Sequence, residues 1–84
     1  MPEELVGSVS DFFTRPVVAG IELIGTLKLG DKVHVQGHTT DLEFVIGSMQ
    51  IDNVNVDVAK AGDSVGVKVT DRVRSGDKVY KVTD

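Results

Sequence analysis

The side chains with chemical potential are few, and the pair His34 and His38 is the first of them. With Asp31, Asp41 and Glu43 close by in the chain, they offer the imidazole and carboxylate donors that zinc accepts. Strand alternation works against this pairing. His34 belongs to the polar side of an alternating run, whereas His38 follows Gly37 in a turn, so the two rings need not share a centre and no metal is expected. The run Asp52-Asn53-Val54-Asn55-Val56-Asp57 has the composition of a calcium loop. Read from Asn53, however, it places Val58 where the sharp-turn glycine belongs and Ser64 where the bidentate glutamate belongs, so a turn is expected. Ser8, Ser10, Ser48, Ser64 and Ser75 lack a G-x-S-x-G elbow, and the histidine bases sit in one short segment. Without cysteine there is neither a thiol nucleophile nor a thiolate metal site. A non-enzymatic chain without a cofactor is the expectation.

Two binding surfaces are candidates. Lys68, Arg72, Arg74, Lys78 and Lys81 concentrate positive charge in the C-terminal part of a chain whose formal charge is −4. The stretch TDRVRSGD is expected to loop between the last two strands, where Arg72 and Arg74 could fork onto phosphate. Asp71 and Asp77 interrupt that field, and a pI near 5.0 argues against coating nucleic acid through bulk charge. The second surface is apolar. Ile21, Leu23 and Ile24 crowd around Glu22, and Phe12-Phe13 precede Thr14-Arg15-Pro16 in the first hairpin. Not all of these can point inward, so Phe13, Ile21, Leu23 and Ile24 are candidate contacts for a protein partner or a second copy.

Strands must position these residues. Val33 and Val35 alternate with Lys32, His34 and Gln36, and Val65, Val67 and Val69 alternate with Ser64, Gly66 and Lys68, the period of a strand with one buried face. The apolar set is dominated by β-branched residues, which fit a pleated surface better than a helix. Leu42, Phe44 and Ile46 share a face, but Met49 and Ile51 continue it only with one extra residue near Gly47 or Ser48, which predicts a β-bulge. The expected strands are Leu5–Phe12, Val17–Leu23, Lys32–Gln36, Asp41–Ile51, Ser64–Val69 and Lys78–Val82. Gly30-Asp31, Gly62-Asp63 and Gly76-Asp77 each precede a strand, where glycine permits positive φ and aspartate caps the turn. Their unequal intervals exclude a tandem array. A length of 84 residues suits one domain, 1–84, with a modest core. The expected fold is an all-β, six-stranded antiparallel closed β-barrel. The start MPEELVGS is acidic and no long apolar run follows, so a cytoplasmic protein away from membranes is expected.

Read together, PVVAGIELIGTLKLGDKVHVQG, KAGDSVGVKV and RSGDKVYKV resemble the β-barrel domain that follows the GTPase domain in translational GTPases such as elongation factor Tu. The resemblance runs from about Val6 to Val82, and HTTDLEFVIGSMQID is similar to free-standing translation elongation factor-like proteins. It implies a barrel of the translation-factor type and an RNA or ribosome partner met by the basic residues above. It also implies an inward aliphatic side chain where this chain has Glu22. Relatives that carry aminoacyl-tRNA use a glutamate where this chain has Ser48-Met49-Gln50, so such carriage is not expected. No G-x-x-x-x-G-K-[ST] loop is present, and neither nucleotide binding nor hydrolysis is expected. The sequence thus favours an RNA- or ribosome-associated barrel, with a protein-interaction module docking on an enzyme or assembly as the alternative.

Overall fold

A computed structural model describes residues 3–14 and 17–83. Arg15 and Pro16, and with them the tip of the first hairpin, lie outside the described residues. The elements are all strands: β1 Glu3–Thr14, β2 Val17–Leu23, β3 Leu27–Lys28, β4 Lys32–Gln36, β5 Asp41–Val45, β6 Met49–Ile51, β7 Val54–Asn55, β8 Val58–Ala59, β9 Ser64–Lys68 and β10 Lys78–Val82. The strands β2, β4 and β9 bury alternate residues. On β4 Val33 and Val35 point in, on β9 Val65 and Val67, and on β2 Ala19, Ile21 and Leu23, meeting Leu27, Ile46, Met49 and Val79 in a single core. Complete burial of a side chain of this size contributes about 1.5–3 kcal/mol, so this lining is what holds the sheet in shape.

The turns before β4, β9 and β10 are built alike. Gly30, Gly62 and Gly76 have φ of 90°, 93° and 95°, conformations that a Cβ would strain. In each turn the aspartate N–H donates to the carbonyl three residues back, of Lys28, Lys60 or Arg74, at 3.0–3.1 Å. Its carboxylate accepts the N–H of that same residue at 2.8–2.9 Å. The turns also clasp the core. The Gly30, Gly62 and Gly76 N–H groups donate to Ile46, Leu23 and Val9 carbonyls, whose own N–H groups donate back to Asp31, Asp63 and Asp77. One four-residue motif is therefore used three times to pin a buried aliphatic residue of another segment.

The main sheet runs β5-β4-β10-β1-β2-β9-β6-β7, every pairing antiparallel, and β3 pairs with β8 apart from it. The closed six-stranded barrel is corrected here: among the described residues no ladder joins the two ends of the sheet, which remains open. The reason lies at Ile46-Gly47-Ser48. There the expected single strand breaks, leaving β5 at one end of the sheet and β6 next to β7 at the other. Ile46 is held by Gly30 and Asp31, while Ser48 O accepts from Lys68 N at 3.3 Å, so this segment spans the gap without forming a ladder. The bulges fall instead in β1, between Leu5 and Gly7 and between Val9 and Asp11. They let one strand of 12 residues pair with β10 at its start and β2 at its end.

Candidate functional site

The expected cationic surface does not form one patch. Lys68 lies opposite Val18 of β2, Lys78 lies opposite Gln36 of β4, and Arg72 and Arg74 are exposed in the loop between β9 and β10. Lys81 is three residues beyond Lys78 on the same strand, which turns it to the other side, and its Nζ donates to Thr26 O at 3.2 Å. The loop is tied down by its own aspartates, with Arg72 N donating to Asp71 and Arg74 N to Asp77.

The apolar candidates divide between inside and outside. Ile21 and Leu23 are 1% and 3% exposed, so they belong to the core and present no surface to a partner. Phe13 and Ile24 are 55% and 65% exposed. Glu22 faces outward between these two core residues, which corrects the inward aliphatic that the family resemblance implied. The cause is plain alternation along β2.

His34 stands on the outer face of β4, between Glu43 of β5 and Tyr80 of β10. Its Nδ1 is 2.8 Å from Glu3 Oε2 and its Nε2 is 2.5 Å from Asp41 Oδ1. Both nitrogens thus donate to carboxylates, the arrangement of a protonated ring. The hydrogen bond to Asp41, supported by Glu3 and opposed by partial burial, raises the His34 pKa above its ordinary value. His34 is grouped with Glu3 and Glu43, whose ligand atoms lie within 4.8 Å of one another, rather than with His38, which is exposed in the β4–β5 turn. Glu3, His34 and Glu43 are thus close enough to share a metal ion, and in the structure His34 is paired with Glu3 and Asp41. The serine hydroxyls with assigned partners serve the backbone: Ser10 Oγ donates to Gly20 O and Ser75 Oγ to Ser10 O. The run from Asp52 is the turn expected, with Asp52 and Asn53 at φ of 52° and 65° joining β6 to β7.

Single-residue reasoning missed one concavity. A groove of about 710 Å³ lies on the outer face of β1, β2, β9 and β6. Its floor is the cross-strand row Asp11, Gly20, Gly66 and Gln50, with the two glycines paired at the centre. Phe13 and Val18 line one side, and Glu22, Ser64 and Asp52 the other. The signal available in the sequence was the pair of glycines inside otherwise β-branched strands, which marks close approach of another backbone.

An all-β sheet module with turn-clasped edges and an open outer groove is the class that this geometry defines. No protein-family model matches the chain. A curated relative is an uncharacterized protease of Methanocaldococcus jannaschii, 46% identical over 76 residues. The match takes in 89% of this chain and 19% of that protein, so the chain spans about a fifth of the relative's length. The structure superimposes on the C-terminal domain of a protein described as a U32 peptidase of Geobacillus thermoleovorans, with a TM-score of 0.88, 19% identity, and coverage of 95% of this chain and 93% of that one. The selenomethionine variant of the same domain gives 0.85, with 19% identity and coverage of 90% and 96%. The chain has the fold of that domain. These findings overturn the translation-factor resemblance and, with it, the RNA- or ribosome-associated function: the matched sequence is that of a protease and the matched structures are of a peptidase domain. The Gly-Asp turns that carried the resemblance are a device for clasping a sheet, and turns of this kind do not specify a family. Among the described residues no helix is long and apolar enough to cross a membrane.

Proposed function

We propose that this chain is a non-catalytic protein-interaction module that docks on the catalytic part of a peptidase of the U32 kind. The observation that carries the reading is the 46% identity to a segment making up only 19% of a protease. Four fifths of the relative's length lies outside the match and is left to carry chemistry. The residues here agree. His34 is committed to an ion pair, and the serine hydroxyls with partners serve backbone carbonyls. Phe13 and Ile24 remain as apolar outward contacts suited to another protein surface.

A segment exchange tests the proposal. In the Methanocaldococcus jannaschii relative, the matching 76 residues are deleted in one variant and replaced by the corresponding residues of this chain in another. Cleavage of a mixed peptide library is then followed for both and for the intact protein. The exchanged protein is expected to cleave the same peptides as the intact one, with the deletion impaired, and the isolated chain is expected to cleave none. Peptide cleavage by the isolated chain, or an exchanged protein no better than the deletion, would overturn the reading.

A further inference from the structure

We propose that the groove over β1, β2, β9 and β6 binds an extended peptide segment of alternating basic and aliphatic residues, contributed by the protein on which the module docks. The inference rests on the interaction-module reading above and adds to it a site and a partner chemistry.

Three features of the groove fix the chemistry. Its floor is low because Gly20 and Gly66 face each other across the β2–β9 ladder, so another backbone can approach the sheet there. Its two walls differ in kind. Phe13 and Val18 pair across β1 and β2 on one side, with Phe13 55% exposed. On the other side Glu22 pairs with Ser64, and the antiparallel register of β6 with β9 carries Asp52 to the level of Ser64. Asp11 adds a third carboxylate at one end, and among the described residues that line the groove none is a lysine, arginine or histidine, Lys68 standing beside Val18 at the edge of the apolar wall. A phosphate backbone would be repelled here, whereas an ammonium or guanidinium group would be drawn in.

The dimensions select the conformation. Val18 and Glu22, one in each wall, are four residues apart on β2, which is about 13 Å between Cα atoms before the wall side chains narrow the gap. A helix needs about 10–12 Å across with its side chains and does not fit between them. An extended chain does. Because its successive side chains point to opposite sides, a strand lying along the row from Asp11 to Gln50 would send every second residue to the acidic wall and the others to Phe13 and Val18. Alternation of Lys or Arg with Val, Ile or Leu satisfies both walls at once.

The test is fluorescence anisotropy with the intact chain and labelled, end-blocked octapeptides. One alternates Lys and Val, a second has the same composition with Lys and Val in blocks, and a third alternates Glu and Val. The alternating Lys peptide is expected to bind at least about tenfold more tightly than either of the others, and less tightly as salt is raised. Asp11→Asn with Glu22→Gln should weaken it at least about tenfold, and Gly66→Val, which fills the floor, should do the same. Glu43→Gln, which removes one carboxylate on β5 away from the groove, should leave it unchanged. Thermal melts of every variant confirm that each remains folded, and the conservative Asn and Gln pair carries the test if Gly66→Val does not. Equal binding of the alternating and blocked peptides, or equal loss in Glu43→Gln, would show bulk charge attraction and overturn the site. Docking on a peptidase that survives Asp11→Asn with Glu22→Gln would sink the groove and spare the module reading. Peptide binding without docking would do the reverse.

Discussion

At His34 both ring nitrogens are held by carboxylates, Asp41 and Glu3, and the proton they share with the ring is worth more in the folded chain than in the unfolded one. The folded pKa is raised above the ordinary 6.5, so this contribution to stability is fully present below about pH 6.5 and is lost as pH rises through the raised value. His34→Gln should therefore melt below the parent at pH 5.5, with the gap closing toward pH 9. A gap that widened with pH would contradict the ion-pair assignment. The strand carrying His34 was legible in the sequence; its partners were not. Glu3 comes from a segment 31 residues away, brought alongside only because β10 separates β4 from β1 in the sheet, and no local spacing encodes that. At β2 the alternation itself decides which residues face out: Ile21 and Leu23, expected as candidate surface contacts, are buried, and Glu22 between them is exposed.

The three Gly-Asp turns set the behaviour of the elements around them. Replacing Gly30, Gly62 or Gly76 by Ala forces a side chain into positive φ and should cost about 1–3 kcal/mol each. For a domain of this size each kcal/mol lowers the melting temperature by about 4–8 °C, which thermal denaturation would read directly. Asp31→Ala and Asp63→Ala remove one hydrogen bond and should cost about 1 kcal/mol, with Asp77→Ala costing more because Asp77 is only 5% exposed. Equal and negligible losses at all three would deny the clasp. In the β6–β7 hairpin, Asn53→Val should destabilise by about 1–3 kcal/mol, since a β-branched residue tolerates the left-handed region poorly, whereas Asn53→Gly should be accepted. Period-two alternation located every long strand, with β2, β4 and β10 matching residue for residue. The pieces it missed, β3, β7 and β8, have 2 residues each, too short for any period to register. The break at Ile46-Gly47-Ser48 looked like a bulge because both events shift the alternation by one residue, and only the pairing partners tell them apart.

At the scale of the whole molecule, the sheet holds a core of small aliphatic side chains inside and leaves its chemistry to one outer groove and a few outward apolar residues. That arrangement suits a module whose work is contact. Turn motifs and strand order had pointed to a translation-factor barrel because such features follow from how a small sheet is stabilised and recur wherever that problem is solved. The partner was beyond reach of the residues alone, since docking surfaces differ from ordinary surfaces by shape and by what sits opposite, neither of which a single sequence displays. The central claim is that this chain acts by docking on a peptidase, and the most direct measurement is sedimentation of the purified 84-residue chain mixed with the Methanocaldococcus jannaschii relative shortened by its matching segment. A single complex of one chain per shortened protein, displaced by the relative's own excised segment, is the predicted result. Independent sedimentation of two folded proteins at micromolar concentration would contradict it.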